Sequence, residues 1–247
     1  MSLRPFVHVD HPLPDVAGTI DLGREERHHL GTVLRLAPGA PVVCSDGGGR
    51  VATGVFHGDA LELAEPPRTR PRPTPRLELA QALGKGRKVD EVVRLATELG
   101  VDTIHPIAAE RSVVRLAGER AEKARTRWTA VARAAAEQSR RAFRPDIAPL
   151  CALDRLEVSG AELLVAAPAA PALPELVDEV RDAARVVLAI GPEGGWTDAE
   201  LAVATAAGAR LVGLGPAVLR TEHAGGVGLA VLAAGVGRWA TTPDEVG

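Results

Sequence analysis

The fold class of this chain is decided by the stretch Val186-Val187-Leu188-Ala189-Ile190-Gly191-Pro192-Glu193-Gly194-Gly195-Trp196-Thr197. Its first five residues form an apolar run that predicts a buried strand. Three glycines and a proline then interrupt the run, so the backbone has to turn. Thr197 and Glu200 have the spacing of a helix capping box, which predicts that a helix begins there. The stretch therefore predicts a strand, a loop and a helix, and loops that follow the strands of an open parallel sheet bind ligands.

A second glycine-proline loop lies closer to the C-terminus, in the stretch Leu214-Gly215-Pro216-Ala217-Val218-Leu219-Arg220-Thr221-Glu222. One glycine-rich turn is as often a bare turn as a ligand site. The second loop, which carries Arg220 and Glu222, favours a ligand site. The first loop lacks the lysine of a P-loop and the GxGxxG spacing of a dinucleotide fingerprint, which argues against a Rossmann-type dehydrogenase. Its glycines instead favour a flat ligand such as adenine, whose edge can be bound by backbone groups.

From residue 77 onward the chain alternates between predicted strands and predicted helices. Strands are predicted at 77–83, 103–107, 163–166, 186–190 and 211–214, and helices at 89–99, 118–139, 174–184, 197–208 and 222–239. This alternation predicts an α/β fold with a parallel sheet covered by helices. Residues 1–67 instead carry short apolar pieces between turn residues and predict a small β-barrel. Residues 64–76 hold five prolines and four arginines, which predicts an extended linker at the domain boundary.

The composition excludes several classes of protein. The chain has 247 residues, of which 46% are hydrophobic and 25% are charged, as in ordinary globular proteins. Cys44 and Cys151 are far apart and outside any CxxC or Cys/His pattern, which argues against a disulfide framework and against a zinc site, and we expect no metal. The sequence has no N-terminal apolar segment and no run of about 20 apolar residues, so we expect a cytoplasmic protein without a membrane span.

Charge is unevenly distributed along the chain. Residues 68–145 contain 18 basic and 9 acidic residues, whereas residues 1–67 contain 5 and 9, and residues 146–247 contain 6 and 14. A basic section on an otherwise acidic chain is typical of a polyanion-binding surface, and equally of a solvated, arginine-rich helix face. Two of its segments, 110–115 and 137–141, have loop-like positions that can face an RNA backbone.

The residues around the two loops have alternative roles that the sequence leaves open. Glu193 can accept a hydrogen bond from a ribose hydroxyl or cap the helix that follows it. Arg220 can bind a phosphate or a carboxylate. Glu222 can cap the last helix or take part in proton transfer, and His223 can act as a base or be structural.

Six phrases follow one another along the chain: Gln81-Ala82-Leu83-Gly84-Lys85-Gly86, Ala96-Thr97-Glu98-Leu99-Gly100-Val101, Glu110-Arg111-Ser112-Val113-Val114, Glu137-Gln138-Ser139-Arg140-Arg141, Ile190-Gly191-Pro192-Glu193-Gly194-Gly195, and Leu214-Gly215-Pro216 through Leu219-Arg220-Thr221-Glu222. In this order they resemble the RsmE family, the 16S ribosomal RNA uridine-N3 methyltransferases of the SPOUT superfamily. His29-Leu30 and Val33-Leu34-Arg35-Leu36 look like the N-terminal domain of that family.

The resemblance implies a PUA-like RNA-binding β-barrel over residues 1–70 and a SPOUT methyltransferase domain over residues 74–247, with a C-terminal trefoil knot. It also implies S-adenosylmethionine as the cofactor, 16S ribosomal RNA of the small subunit as the substrate, and a homodimer that shares the RNA site. The implied cofactor-binding residues are Val165, Ala166, Ala167, Ile190, Gly191, Pro192, Glu193, Gly194, Gly195, Leu214, Gly215, Leu219, Arg220, Thr221 and Ala224. The implied RNA-binding residues are Arg4, Arg35, Lys85, Arg111, Ser112, Arg115, Gln138, Arg140 and Arg141.

The chain also departs from the usual residues of that family. Ala217 stands where a basic residue is common, and His223 stands where threonine is common. Residues 224–228 are richer in glycine than the usual start of the last helix, and Ala167-Pro168 stand where an acidic residue often follows the strand. These departures concern individual contacts rather than the fold.

The reaction that the resemblance implies is attack of uridine N3 on the sulfonium methyl group. Neutral uridine carries a proton on N3, so a base or a group that stabilises the uridine anion is needed. We expect Arg220 to stabilise charge on the uracil carbonyls or to orient the base, with Glu222 or His223 as the proton acceptor. Two alternatives stay open: a ribose 2′-O-methyltransferase of the same superfamily, and an RNA-binding assembly factor without catalysis.

Overall fold

The computed structural model describes residues 4–239, which form two compact units. The N-terminal unit comprises residues 4–72 and 133–144, and the C-terminal unit comprises residues 73–132 and 145–239. The sequence predicts one boundary near the proline-rich segment. In the structure, the separate segment 133–144 also belongs to the N-terminal unit, whereas the sequence prediction assigns it to the second domain.

The N-terminal unit is built on a sheet whose pairs are mostly antiparallel. Its described elements are strands β1 (Phe6–His8), β2 (Gly18–Asp21), β3 (Pro41–Ser45), β4 (Arg50–Phe56), β5 (Ala60–Leu63) and β6 (Arg68–Thr69), and helix α1 (Arg24–Arg27), which continues as a π-helical turn over His28–Val33. The order is β1-β3-β4-β5-β2, with β1 parallel to β3 and β6 paired with β4. The segment 64–76 is therefore not extended linker throughout, because its strand β6 belongs to this sheet.

An ionic cluster fastens the segment 133–144 within the N-terminal unit. Arg133 donates from Nη2 to Oε1 of Glu26 at 2.7 Å and from Nη1 to Oδ2 of Asp10 at 2.6 Å. Glu26 is only 3% exposed, and a carboxylate at that depth needs a counter-ion. Glu137 adds a hydrogen bond, since its Oε1 accepts from the His8 backbone N–H at 3.0 Å. These pairs are 107 to 129 positions apart in the sequence, which is why local patterns do not predict them.

The C-terminal unit is a parallel sheet covered by helices, which confirms the predicted α/β class. Its described strands are β7 (Arg76–Ala82), β8 (Thr103–Ile107), β9 (Asp146–Ile147), β10 (Glu162–Ala166), β11 (Arg185–Ile190) and β12 (Arg210–Val212), in the order β12-β10-β11-β7-β8-β9. Its helices are α2 (Lys88–Glu98), α3 (Glu119–Gln138, whose last turns belong to the N-terminal unit), α4 (Leu173–Val180), α5 (Asp198–Ala206) and α6 (Thr221–Gly235), with a 3-10 turn over Leu153–Arg155.

Alternation along the strands divides the core of this unit into two layers. In β7, Leu77 and Leu79 pack into one apolar cluster with helices α2, α4 and α6, and Ala80 and Ala82 pack into a second cluster with α5. Successive side chains of a strand point to opposite faces, so the sheet separates the two clusters. Within residues 4–239, no helix combines the length and the apolar character that a membrane span requires.

The ends of some elements differ from the sequence prediction. Helix α4 ends at Val180, strand β12 ends at Val212 and helix α6 ends at Gly235, all earlier than predicted, and strand β9 was not predicted. The chain leaves α6 where the Arg238 N–H donates to Ala233 O at 2.9 Å. The Arg238 side chain then pairs with buried Asp102 at 2.5 Å, a distant partner that the apolar sequence of the helix does not reveal.

A buried ionic group lies toward the amino ends of the strands. Glu78 of β7 is 3% exposed, and its Oε2 lies 2.8 Å from Nε2 of His105 on β8. Arg185 of β11 binds both carboxylate oxygens, at 3.0 and 3.1 Å. Burial alone would raise the pKa of Glu78, but the hydrogen bonds from His105 and Arg185 outweigh burial and lower this pKa to about 2. Both oxygens of the Glu78 carboxylate thus have hydrogen-bond partners, and we assign the group a structural role.

Candidate cofactor and substrate site

Three loops meet at the carboxyl edge of the parallel sheet because they follow neighbouring strands. We name them the alanine loop (167–172, after β10), the glycine loop (191–197, after β11) and the terminal loop (213–220, after β12). The terminal loop contacts the alanine loop through Gly213, whose N–H donates to Pro171 O at 2.7 Å. A Cβ at Gly213 would lie 2.6 Å from Ala170 O, so this close approach requires glycine.

The three loops line a cavity of about 680 Å³, within the range of about 300–1,000 Å³ that holds small-molecule ligands. Much of the lining is apolar, with Ile190 at the end of β11 and Leu214 in the terminal loop. Gly195 and Gly215 also line it, with φ of +68° and +119°, and a Cβ at either would meet no heavy atom within 4 Å. The loops therefore present open backbone groups beside apolar surface. Such a cavity fits the flat, polar-edged adenosine part of S-adenosylmethionine.

Local contacts hold the glycine loop in place. The Thr221 hydroxyl donates to the Gly191 carbonyl, and the Trp196 ring lies so close to Gly191 that a Cβ there would be 3.2 Å from it. The predicted capping box is confirmed: Thr197 Oγ1 accepts from Glu200 N at 3.1 Å, and Glu200 Oε2 accepts from Thr197 N at 2.9 Å. Because these two residues cap α5, the alternative of Glu193 as the helix cap is wrong.

The segment 110–115 is tied to the glycine loop by side chains. Nη1 of Arg111 donates to Gly194 O at 3.2 Å and to Trp196 O at 3.0 Å. Glu200 contributes a second tie, since its Oε1 accepts from the Glu110 N–H at 2.9 Å while Oε2 serves the capping box. Arg111 therefore joins the loop that the sequence assigns to RNA with the loop that the sequence assigns to the cofactor.

A second, smaller cavity of about 370 Å³ adjoins the first and shares part of its lining. Lys88, Arg220 and Glu222 line only this one. Nζ of Lys88 lies 3.1 Å from Oε1 of Glu193 and 3.1 Å from Oε2 of Glu222. The pKa of each glutamate is lowered, first by its own backbone N–H and then by Lys88, and the pKa of Lys88 is raised by its hydrogen bonds to both carboxylates. All three groups are therefore charged at neutral pH.

The structure brings most of the predicted cofactor residues together. The first cavity is lined by Ala166, Ala167, Ile190, Gly191, Pro192, Glu193, Gly194, Gly195, Leu214, Gly215, Leu219, Thr221 and Ala224. Two predicted residues are not part of this lining. Val165 is fully buried within strand β10, and Arg220 lines the second cavity instead.

The three predicted catalytic residues lie at the start of helix α6. Arg220 is the exposed N-cap residue, and its carbonyl accepts from His223 N and Ala224 N, each at 2.9 Å. Glu222 is 8% exposed and ion-paired with Lys88. His223 is exposed on the next position. The arrangement places a guanidinium, a paired carboxylate and an exposed imidazole within four successive positions beside the second cavity.

The predicted RNA-binding residues divide between the two units. The N-terminal unit contains Arg4, Arg35, Gln138, Arg140 and Arg141, and the C-terminal unit contains Lys85, Arg111, Ser112 and Arg115. Ser112 differs from the expectation of an RNA-facing side chain because it is only 4% exposed, in a turn closed by its N–H on Ala109 O at 3.0 Å. Arg115 is exposed, but its guanidinium donates to Ala109 O and Glu110 O at 2.8 and 2.5 Å.

Several residues of the site are missed by sequence reasoning. Lys88 is the main one, and its only signal is that it follows the glycine-lysine run 84–86 at the start of α2. Gly213 and Trp196, which also line the first cavity, carry no motif of their own. Among residues 4–239, no group of three or more His, Cys, Asp and Glu side chains lies close enough together to hold a metal ion.

Comparison with known proteins gives consistent matches over nearly the whole chain. A family model described as an RNA methyltransferase domain matches residues 70–233, and one described as an RNA methyltransferase PUA domain matches residues 22–57. The ribosomal RNA small subunit methyltransferase E of Mycobacterium tuberculosis is 35% identical over 247 residues, which cover 94% of this chain and 93% of that protein.

Two solved structures are similar over the same extent. One is a ribosomal RNA small subunit methyltransferase E from Neisseria gonorrhoeae bound to S-adenosyl methionine, with 29% identity, a TM-score of 0.82 and coverage of 94% of this chain and 98% of that chain. The other is a methyltransferase from Legionella pneumophila in complex with the same cofactor, with 28% identity, a TM-score of 0.82 and coverage of 95% and 98%.

Proposed function

Because the chain belongs to the ribosomal RNA small subunit methyltransferase E family, we propose that it methylates N3 of a uridine in 16S ribosomal RNA with S-adenosylmethionine as the methyl donor. The observation that carries the proposal is the apolar, glycine-lined cavity formed by the three loops. Gly195 and Gly215 leave room there for a ligand to approach the backbone. In support, relatives of this family have been crystallised with that cofactor.

The residues of the chain position the reactants and manage charge. When bound, S-adenosylmethionine supplies an electrophilic methyl group, which uridine N3 takes as the sulfonium C–S bond breaks and the N3 proton leaves. Backbone groups of the glycine and terminal loops would bind the adenine edge. Arg220, on the second cavity, would stabilise negative charge on the uracil carbonyls. Holding the two reactants in line accounts for much of the rate.

The proton acceptor follows from the charges around the second cavity. Glu222 is ion-paired with Lys88 and its pKa is lowered, so it is a weak base. We therefore assign Glu222 to the ion pair, and the N3 proton to His223 or to water. A His223→Ala variant separates the two: if His223 accepts the proton, the variant loses most of its rate and the limb of its pH–rate profile that the imidazole contributes.

The product of the reaction tests the proposed function directly. The purified chain is incubated with isolated small subunits and with naked 16S ribosomal RNA, and methylated nucleotides are mapped by nuclease digestion and mass spectrometry. A methyl group on a uracil supports the proposal, whereas one on a ribose indicates 2′-O-methylation. Failure to bind S-adenosylmethionine in calorimetry indicates a non-catalytic RNA-binding factor. Normal turnover of an Arg220→Ala variant refutes the role of Arg220.

The finer architecture is part of the same proposal. Residues 1–70 would form a PUA-like β-barrel that binds RNA, and residues 74–247 a SPOUT methyltransferase domain closed by a trefoil knot. The protein would act in the cytoplasm as a homodimer whose subunits share the RNA site. In support, a PUA domain model matches residues 22–57 and the C-terminal unit has a parallel sheet. Sedimentation analysis tests the dimer, and a monomer at micromolar concentration contradicts it.

A further inference from the structure

One lysine connects two parts of the site that are far apart in sequence. Lys88, the first residue of α2, lies 3.1 Å from Glu193 of the glycine loop and 3.1 Å from Glu222 in the first turn of α6. The Lys88 and Glu193 positions are 105 residues apart. The ammonium group is therefore the bridge between the loop on the cofactor cavity and the helix that begins with Arg220.

The bridge is partly shielded from water. The side chain of Lys88 is 33% exposed, that of Glu193 39% and that of Glu222 8%. Without the ammonium group, two carboxylates would share one small site, and each negative charge would disfavour the ionised form of the other. Two further titratable or charged side chains lie near these groups: His223, which also lowers the pKa of Glu222, and Arg220 on the cavity wall.

We propose that Lys88 is a positioning residue of the methyl-transfer site: it holds Glu193 and Glu222 together, fixes the glycine loop against helix α6, and so sets the position of the Arg220 guanidinium. The inference rests on the proposed function for its consequence on rate. The bridge itself is a property of the chain and can be tested without catalysis. Lys88 acts through Arg220 and does not exchange protons, because its raised pKa keeps it charged.

The same lysine admits a second role, as a direct ligand of an RNA phosphate. The two roles differ in how the effect of removing the charge depends on pH. If Lys88 binds a phosphate, Lys88→Met weakens RNA binding and reduces its salt dependence equally at every pH. If Lys88 forms the bridge, the same variant loses methylation rate to an extent that depends on the charges of Glu193 and Glu222. Protonation of one carboxylate lets the pair share a proton, so the defect shrinks in acid.

The experiment compares Lys88→Met, Lys88→Arg and a matched control, Lys123→Met, whose lysine forms an exposed pair with Glu119 on α3. Single-turnover methylation of small-subunit RNA is measured from pH 5.5 to 8.5. We expect Lys88→Met to lose about tenfold to a hundredfold in rate at pH 8, with a smaller loss at pH 5.5. Lys88→Arg should retain most of the rate, and Lys123→Met all of it.

Two further readouts make the outcome independent of turnover. Carbon-13 NMR of the glutamate carboxyls should show the pKa of Glu193 or Glu222 higher in Lys88→Met than in the wild type, with circular dichroism confirming that the variant is folded. Calorimetry gives the Kd for S-adenosylmethionine. Wild-type rates and unchanged carboxyl pKa values in Lys88→Met would overturn the proposal, as would a defect equal at all pH values. If the wild type itself does not methylate RNA, the proposed function fails, and the NMR titration alone decides on the bridge.

Discussion

Replacement of Arg111 by alanine should weaken cofactor binding although Arg111 lies on another loop. The guanidinium donates to Gly194 O at 3.2 Å and to Trp196 O at 3.0 Å and so holds the glycine loop, and Arg111 itself lines the first cavity. Hydrogen bonds from charged donors contribute about 1.5–3 kcal/mol each, but Arg111 is exposed, so screening by solvent reduces the pair to about 1–2 kcal/mol in total. If the loop must be ordered to bind the cofactor, that free energy corresponds to a Kd about 5- to 30-fold higher.

The assay is calorimetric titration of the full chain with S-adenosylmethionine. Arg115→Ala is the matched control, because the Arg115 guanidinium also binds two carbonyls, but those of Ala109 and Glu110 on its own loop. We expect Arg115→Ala to keep the wild-type Kd. Arg111→Lys should bind more tightly than Arg111→Ala but more weakly than the wild type, since a lysine ammonium lacks the planar, two-pronged donor geometry of a guanidinium. An unchanged Kd in Arg111→Ala, together with weaker RNA binding, would refute the loop-holding role and favour a role of Arg111 in RNA binding.

Three further predictions concern stability and packing. Burial lowers the pKa of His8 to about 3, so below about pH 6.5 the unfolded chain takes up a proton that the folded chain does not. The free energy of unfolding should therefore fall by about 1.4 kcal/mol per pH unit between pH 6.5 and 3. In urea titrations, the His8→Leu variant should lack this dependence on pH. Arg185→Met removes two hydrogen bonds from buried Glu78 and should cost about 3–5 kcal/mol at pH 7, with unchanged urea midpoints as the contrary result. Gly213→Ala places a Cβ 2.6 Å from Ala170 O. It should lower the free energy of unfolding by about 1–3 kcal/mol and weaken cofactor binding in calorimetry. Wild-type stability of this variant would mean that the alanine loop and the terminal loop can move apart without cost.

Local rules suffice for the part of the site that is continuous in sequence. The apolar run before Gly191 and the capping box of Thr197 and Glu200 predict a strand, a loop and a helix, and the structure has all three. Both patterns depend on contacts between residues a few positions apart. For the same reason the helical stripe of α2 is predicted to within one residue at each end.

Long-range contacts explain what the sequence does not reveal. Strand β9 has two residues and therefore no periodicity, and only its pairing with β8 defines it. Lys88 belongs to no motif, because its partners lie in the glycine loop and in α6. Glu193 shows the limit of local reasoning: a carboxylate just before a helix predicts a cap, but a distant lysine binds it. Charge patterning likewise groups residues 68–145 as one basic section, whereas the structure divides them between two units.

The ionic cluster around Arg133 has a consequence for how the protein is made. Synthesis proceeds from the N-terminus, and N-terminal domains tend to fold first, as they leave the ribosome. Here the first 72 residues emerge without the segment 133–144 that completes their unit. Until Arg133 is translated, Glu26 lacks the guanidinium that it pairs with in the folded unit, and burying it is unfavourable. The nascent N-terminal unit therefore stays incomplete while the first strands of the C-terminal unit are being made. A gene truncated at the proline-rich segment encodes a fragment that lacks Arg133, the counter-ion of Glu26.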